Sequence, residues 1–413
     1  MEYRLSTTCD SFGGLTVVED SLRTALSLAK NDEVTHFAQD KFSSLPRSDQ
    51  RRWAEVYLRG LLLGRGRKSV RRIAEEVLEL PVSQSLQQFI NQSPWDWREV
   101  RSRIAGEVEE LLSPRAWVIA DTTIPKRGEH SVGVERRFVP SEGRAINCQL
   151  GTGLFLAGEA ASIPVNWRIQ LTRRWIDDER RRNRAYIPDS VEALPEWRYA
   201  LDLVEEVGEW GVPRAPVVGD LRHTAGAHRL MARLAELGAD FVFEVPDAFE
   251  VVPGPHLAAV RSGFGPQRGP NLVRARDCLR GADIKHRQVV TWAPGVDGKH
   301  RATQAVSVPV RLPVDPGRRG GPALQLVGTS RQGGRVKLWL TNRTDLRAAE
   351  VISLGALVDR TACDLLDLRA HYGLLDFEGR SYRGWHHHMT LVSAAYTFAK
   401  RSAVPGRRER QLS

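Results

Sequence analysis

Residues 115–153 read RAWVIADTTIPKRGEHSVGVERRFVPSEGRAINCQLGTG. The apolar run Ala116-Trp117-Val118-Ile119-Ala120 ends on a carboxylate, Asp121, and passes through Thr122 and Thr123 into a basic turn containing Lys126 and Arg127. A short continuous apolar run bounded by turn signals is a strand buried on both faces. An acid delivered at the carboxyl end of such a strand suits a metal-dependent enzyme acting on phosphodiesters, which needs hard oxygen ligands held on a rigid element. Residues 131–139 (SVGVERRFV) and 146–157 (INCQLGTGLFLA) read as two further strands separated by a turn at 140–143, so the three strands predict an antiparallel meander opening a mixed sheet. Residues 167–175 (WRIQLTRRW) are a fourth strand candidate.

Further along, Ala215-Pro216-Val217-Val218-Gly219-Asp220 repeats the device of a short apolar run ending on an acid. A helix over 194–211 precedes it, and HTAGAHRLMARLAELG followed by DFVFEVP gives a helix and a strand after it. Strand, helix, strand with acids at strand ends is the pattern of an α/β core.

The flanks differ in character. Residues 48–63 (SDQRRWAEVYLRGLLL) carry an amphipathic helix, and the basic turn after it brings Arg65, Arg67, Lys68, Arg71 and Arg72 together before a second helix. Short helices joined by a basic turn fit either a DNA-binding unit or the solvated face of a helical bundle. Trp97, Val100, Ile104, Val108, Leu111 and Leu112 form a helical stripe belonging to the core. Residues 177–184 (DDERRRNR) are too charged to be buried. Residues 250–345 turn rich in Gly, Pro and short β-like runs, and helices resume near 348 and over 385–399. Composition divides the chain into 1–112 (helical), 113–249 (strands alternating with helices), 250–345 (a β-rich insertion or subdomain), 346–400 (helical) and 401–413 (a basic, disordered tail).

Sixty Lys and Arg against fifty Asp and Glu give +10, a balance suited to a polyanionic partner. No apolar run reaches the length of a membrane span, and the first residues lack a signal-peptide pattern, so the expected location is cytoplasmic and nucleoid-associated. The four cysteines are far apart and form no CxxC pair, which predicts reduced thiols rather than disulfides or a zinc knuckle. His386, His387 and His388 follow Trp385 at a helix start; three consecutive imidazoles cannot face one metal, and the expectation is a helix cap or a DNA-backbone contact.

The ordered set DTTIPKRG (121–128), SVGV (131–134), NCQ (147–149), WIDD (175–178), Asp220 and RSYRGWHHHM (380–389), with YLRGLLLGRGRKSVRRIAEE (57–76) and SLQQFINQSPWDW (85–97) upstream, resembles the IS701-like group of insertion-sequence transposases in the DDE superfamily. The resemblance spans about residues 33–400. It implies an RNase H-like mixed-sheet core of α/β class, begun by 113–249 and completed by the helices of 346–400, with a β-rich insertion (250–345) between them and a helical N-terminal DNA-binding domain (1–112). It also implies two Mg²⁺ or Mn²⁺ ions held by three carboxylates, double-stranded DNA (element ends and target) as partner, and a homodimer on that DNA, with no membrane. On this reading Asp121 and Asp220 are metal ligands and catalytic, Lys126, Arg136 and Arg137 lie near the scissile phosphate, and an acid of the 359–367 helix completes the site. Two departures stand out. The group's catalytic Glu falls at Ala362, leaving Asp359, about 60° away around the helix, as the substitute. The group's adjacent pair of Asp residues falls at Ala120 and Asp121, so the first acid is absent. The alternative reading is accordingly a catalytically impaired, transposase-derived DNA-binding protein.

Overall fold

The computed structural model describes residues 31–401 except 65, 79–82, 140–141, 255–271, 281, 283–286, 293–300, 314–320 and 331–335. The 402–413 tail, the 16–30 segment and most of the Gly-rich turns of the insertion thus lie outside the described residues. Five helices come first: α1 (Asn31–Lys41), α2 (Ser48–Leu63), α3 (Val70–Leu78), α4 (Ser83–Gln92) and α5 (Trp97–Leu112). Asp96 caps α5, its side chain accepting from the Arg98 amide at 2.8 Å.

The core follows as β1 (Ala116–Pro125), β2 (Glu135–Val139), β3 (Arg144–Ala157), β4 (Ser162–Ile169), α6 (Arg173–Ile176), α7 (Glu179–Arg184), α8 (Glu196–Glu209), β5 (Val217–Asp220), α9 (Ala227–Glu236) and β6 (Phe241–Val245). The insertion supplies β7 (Glu250–Pro253), β8 (Val273–Arg274), α10 (Ala275–Arg280), β9 (Arg287–Trp292), β10 (Arg301–Arg311), β11 (Ala323–Ser330) and β12 (Lys337–Thr341). Two long helices close the chain, α11 (Ala348–His371) and α12 (Tyr382–Arg401).

Strands β4-β3-β1-β5-β6 lie side by side, β3 antiparallel to β1 and β4, and β1, β5 and β6 mutually parallel. This is the mixed α/β sheet of the RNase H-like fold. The expected meander is not what forms. β1 pairs β3 directly, while β2 and β4 both pair the other edge of β3, β2 at its start and β4 further along. The 14-residue length of β3 makes this possible, since one strand spans two partners end to end. The fourth strand also starts earlier than expected and stops at Ile169; residues 173–176 turn helical. Strands of the insertion add to the edge of β6 through β12, so one sheet runs on into the β-rich part.

Consecutive residues of β4 show which layer covers which face. Trp167 Nε1 donates to Ser393 Oγ of α12 at 2.9 Å, whereas the next residue, Arg168, pairs with Glu206 of α8. Side chains alternate across a strand, so α12 and α8 lie on opposite faces. α11 joins α12 on its face, because Thr361 and Asp364 meet Ser162 and Arg369 meets Thr122. The N-terminal helices α2, α4 and α5 pack on α12, and the buried side chains of helices and sheet form one continuous core.

Candidate active-site face of the sheet

Register decides where the acids point. β1 and β5 run parallel with Ile119 beside Gly219, which sets Ala120 level with Asp220. Residues level on neighbouring strands share a face, so Ala120 and Asp220 point together and Asp121 points away. Two hydrogen bonds agree. Asp121 Oδ1 accepts from Thr152 Oγ1 at 2.7 Å, and Thr152 in turn accepts from Gln170. Thr122, one residue on, accepts instead from Arg369 of α11 at 2.9 Å. Asp121 is exposed to solvent yet closely surrounded by protein; the loss of water raises its pKa against the Thr152 bond, and Glu196 adds to the rise. The structure therefore does not bring Asp121 together with Asp220.

The stripe 355–362–369 of α11 faces the same sheet ends, since seven residues return nearly to the same direction. At its two ends Gly355 lies against Trp339 and Arg369 reaches Thr122. Ala362, between them, is exposed. Of the three positions that converge on this face, 120, 220 and 362, only Asp220 is an acid.

The charges around Asp220 are arranged as a chain. Arg222 Nε donates to Asp220 Oδ1 at 2.8 Å, its Nη2 reaches Oδ2 at 2.5 Å, and Nε also lies 3.1 Å from Glu244 of β6. Lys337 Nζ stands 3.7 Å from the other Glu244 oxygen and 3.0 Å from Asp359 of α11. Partial burial pushes Asp220 up, but the hydrogen bonds and charge of Arg222 outweigh it and hold the carboxyl below its ordinary range. Glu244, almost fully buried, is raised by burial despite Lys337 and Arg222. Sequence reading passed over Glu244; the signal was an acid inside the apolar strand FVFEV, level with Asp220 in the parallel pair. Asp359 does lie on the Asp220 face, but with its side chain 69% exposed and held by Lys337.

The two divalent ions that the resemblance implies need a donor set, and the residues do not fit them. Ala stands at 120 and 362, Asp121 is on the far face, and the remaining acids are bonded to Arg222 and Lys337. Among the described residues no group of three His, Cys, Asp or Glu side chains could hold a metal.

The expected DNA contacts divide in the same plain way. Arg71 and Arg72 are exposed on α3, Arg71 pairing with Glu75, and Arg136 is exposed on β2. Arg137 is half-buried beside Cys148 and Tyr199. Arg65 lies outside the described residues. Arg67 pairs with Glu378 at 3.0 Å, and Lys68 is buried, its ammonium on the Gly64 carbonyl and its amide on Asp376. Lys126 turns inward to the Phe377 carbonyl, and burial with Arg67 nearby pushes its pKa down to about 8. The three histidines are neither cap nor DNA contact. All are buried, His386 stacked on Trp97, His387 on Trp95, and His388 between Tyr57 and the Gly373 carbonyl.

Among the described residues no helix is long and apolar enough to cross a membrane. Among curated proteins, none matches the chain. Among solved structures, a cryo-EM structure of a piggyBac transposase synaptic complex with hairpin DNA aligns at 11% identity over 95% of this chain and 79% of that one, with a TM-score of 0.42, a likeness below the level that establishes a shared fold. The family described as DDE superfamily endonuclease matches residues 41–302, well over half of the 413-residue chain, from the end of α1 into β10. The chain belongs to the DDE superfamily of endonucleases.

Proposed function

We propose that this chain is a transposase-derived protein that binds double-stranded DNA and has lost the metal-assisted cleavage of its relatives. Members of the superfamily generally use divalent metal ions. Two-metal cleavage needs carboxylates from separate elements converging on ions about 3.5–4 Å apart. The observation that carries the proposal is that Ala120, not Asp121, shares the sheet face with Asp220. Ala362 repeats the loss from the helix side. DNA as partner is supported by the net charge of +10 and by arginines left exposed on the β2–β3 hairpin (Arg136, Arg144) and on α6–α7 (Arg173, Arg174, Arg180, Arg184).

An active transposase working through Asp220 and Asp359 is the competing reading, favoured by those two acids lying on one face. Incubation of supercoiled plasmid with the purified protein in Mg²⁺ or Mn²⁺ separates the two. We expect a retarded complex on a gel and no nicked product. Mn²⁺-dependent nicking that Asp220→Ala abolishes would establish the active enzyme instead.

A further inference from the structure

From the ion-pair chain on the Asp220 face we infer that Arg222 and Lys337 close the carboxylate cluster in place of divalent metal ions, so that the junction of β5, β6, β12 and α11 holds without added metal. The inference rests on the reading of a site that has lost its ligand set, and it goes further by naming what replaced the metals.

Three carboxylates, Asp220, Glu244 and Asp359, come from β5, β6 and α11. Like charges gathered on neighbouring strands repel, and a carboxylate as buried as Glu244 must be compensated. Arg222 touches two of the acids, forking onto both oxygens of Asp220 while its Nε reaches Glu244. A planar guanidinium suits that task, since its donors diverge in a fixed fork. Lys337 touches the second and third acids, Glu244 and Asp359. Each cation thus bridges two carboxylates, which is what a shared divalent ion does when it ties together acids from different elements. The cations come from the chain itself: Arg222 is two residues beyond Asp220, and Lys337 opens β12, the strand that pairs with β6.

The test uses the full chain and Mn²⁺ as the probe. Free Mn²⁺ is followed by its EPR signal, and unfolding by a thermal melt at pH 7.5 with EDTA or with Mn²⁺. For the wild type we expect no saturable Mn²⁺ uptake at this cluster and the same melting temperature in both conditions. Arg222→Gln should lower the melting temperature by about 4 °C or more, because it strips Asp220 of its cation and leaves Glu244 with Lys337 alone, and Mn²⁺ should restore part of that loss in the variant alone. If Arg222→Gln does not fold, Lys337→Met, at the more open end of the cluster, takes its place with the same expectation. Wild-type Mn²⁺ uptake that Asp220→Asn removes would overturn the inference. So would an Arg222→Gln or Lys337→Met protein that melts like the wild type, or one whose loss Mn²⁺ does not touch. Plasmid nicking by the wild type strikes the functional reading above; Mn²⁺ bound at Asp220 without nicking strikes this inference alone.

Discussion

Arg101 shows how a single residue ties the molecule together. It is wholly buried on α5, and its guanidinium donates to Thr390 Oγ1 at 2.7 Å, Asn166 Oδ1 at 2.9 Å, and the Trp167 and His386 carbonyls at 3.0 Å each. Burial pushes its pKa down to about 9, with Arg168 nearby adding to the fall and Glu206 opposing it. Burying a guanidinium is costly, so these bonds give little net stability, yet removing the donor leaves dry acceptors on β4 and α12. Arg101→Met should therefore destabilise by about 3 kcal/mol or more, and Arg101→Lys should recover less than half, since one ammonium cannot span four acceptors. Urea unfolding at pH 7 measures both; a Met variant as stable as the wild type sinks this account. At the same scale, legibility in the sequence followed reach. Asp220 was readable because a strand-end acid is a local pattern. The facing of Asp121 was not, since it depends on the register with β5, about a hundred residues on, and neither was the inward turn of Lys68, whose amide partner is Asp376.

At the scale of elements, α12 is the axis on which the N-terminal helices meet the sheet. Residues 384–398 are buried all round, which a helix shows when every face has a partner. Its three histidines point about 100° apart and so meet different neighbours. Tyr57 of α2 meets His388, His387 lies between the Ile90 and Trp95 carbonyls and as a neutral ring donates to one of them, and Trp97 with Arg101 meets His386. This burial was not legible beforehand, because a run of imidazoles reads as polar until the surrounding aromatics are known to close over it. The strands of the core were legible from their apolar runs; their order was not, because β3 is long enough for two partners and nothing in its pattern says which neighbour it takes. A pH dependence follows. Burial pushes His387 and His388 down to about 3, with carbonyl hydrogen bonds opposing the shift at both and Lys126 adding to it at His388. Unfolded, each ring binds a proton below about pH 6.5; folded, it stays neutral until about 3. Their stabilising effect is whole above pH 6.5 and lost as pH falls toward 3, at up to about 1.4 kcal/mol per pH unit for each ring. Thermal melts from pH 7 to 4.5 should fall steeply, and His388→Gln should flatten the slope by about one proton. A melting temperature constant over that range would show that the rings are not held neutral.

For the whole molecule, the question is which surface the charge of +10 serves. The basic turn before α3 was the obvious place in the sequence, but Arg67 there is paired with Glu378 and Lys68 is buried, so that turn fastens the helical part to the loop after α11. Arg136 and Arg144 of the β2–β3 hairpin and Arg173, Arg180 and Arg184 of α6–α7 stand exposed, and the two groups are joined at Glu135, which accepts from Thr172 at 2.8 Å and pairs with Arg174 at 3.5 Å. Each phosphate neutralised on duplex DNA contributes about −0.9 to the slope of log affinity against log salt. If this face makes about six such contacts, affinity should fall roughly 10³-fold between 50 and 200 mM salt. Replacing Arg136 and Arg144 together by Ala should reduce the slope by about 2 units and weaken binding to all sequences alike. Arg67→Ala should leave the slope unchanged and lower the melting temperature instead. Fluorescence anisotropy across a salt series gives the slopes, and a slope that responds to Arg67→Ala but not to the hairpin pair would move the DNA to the N-terminal turn.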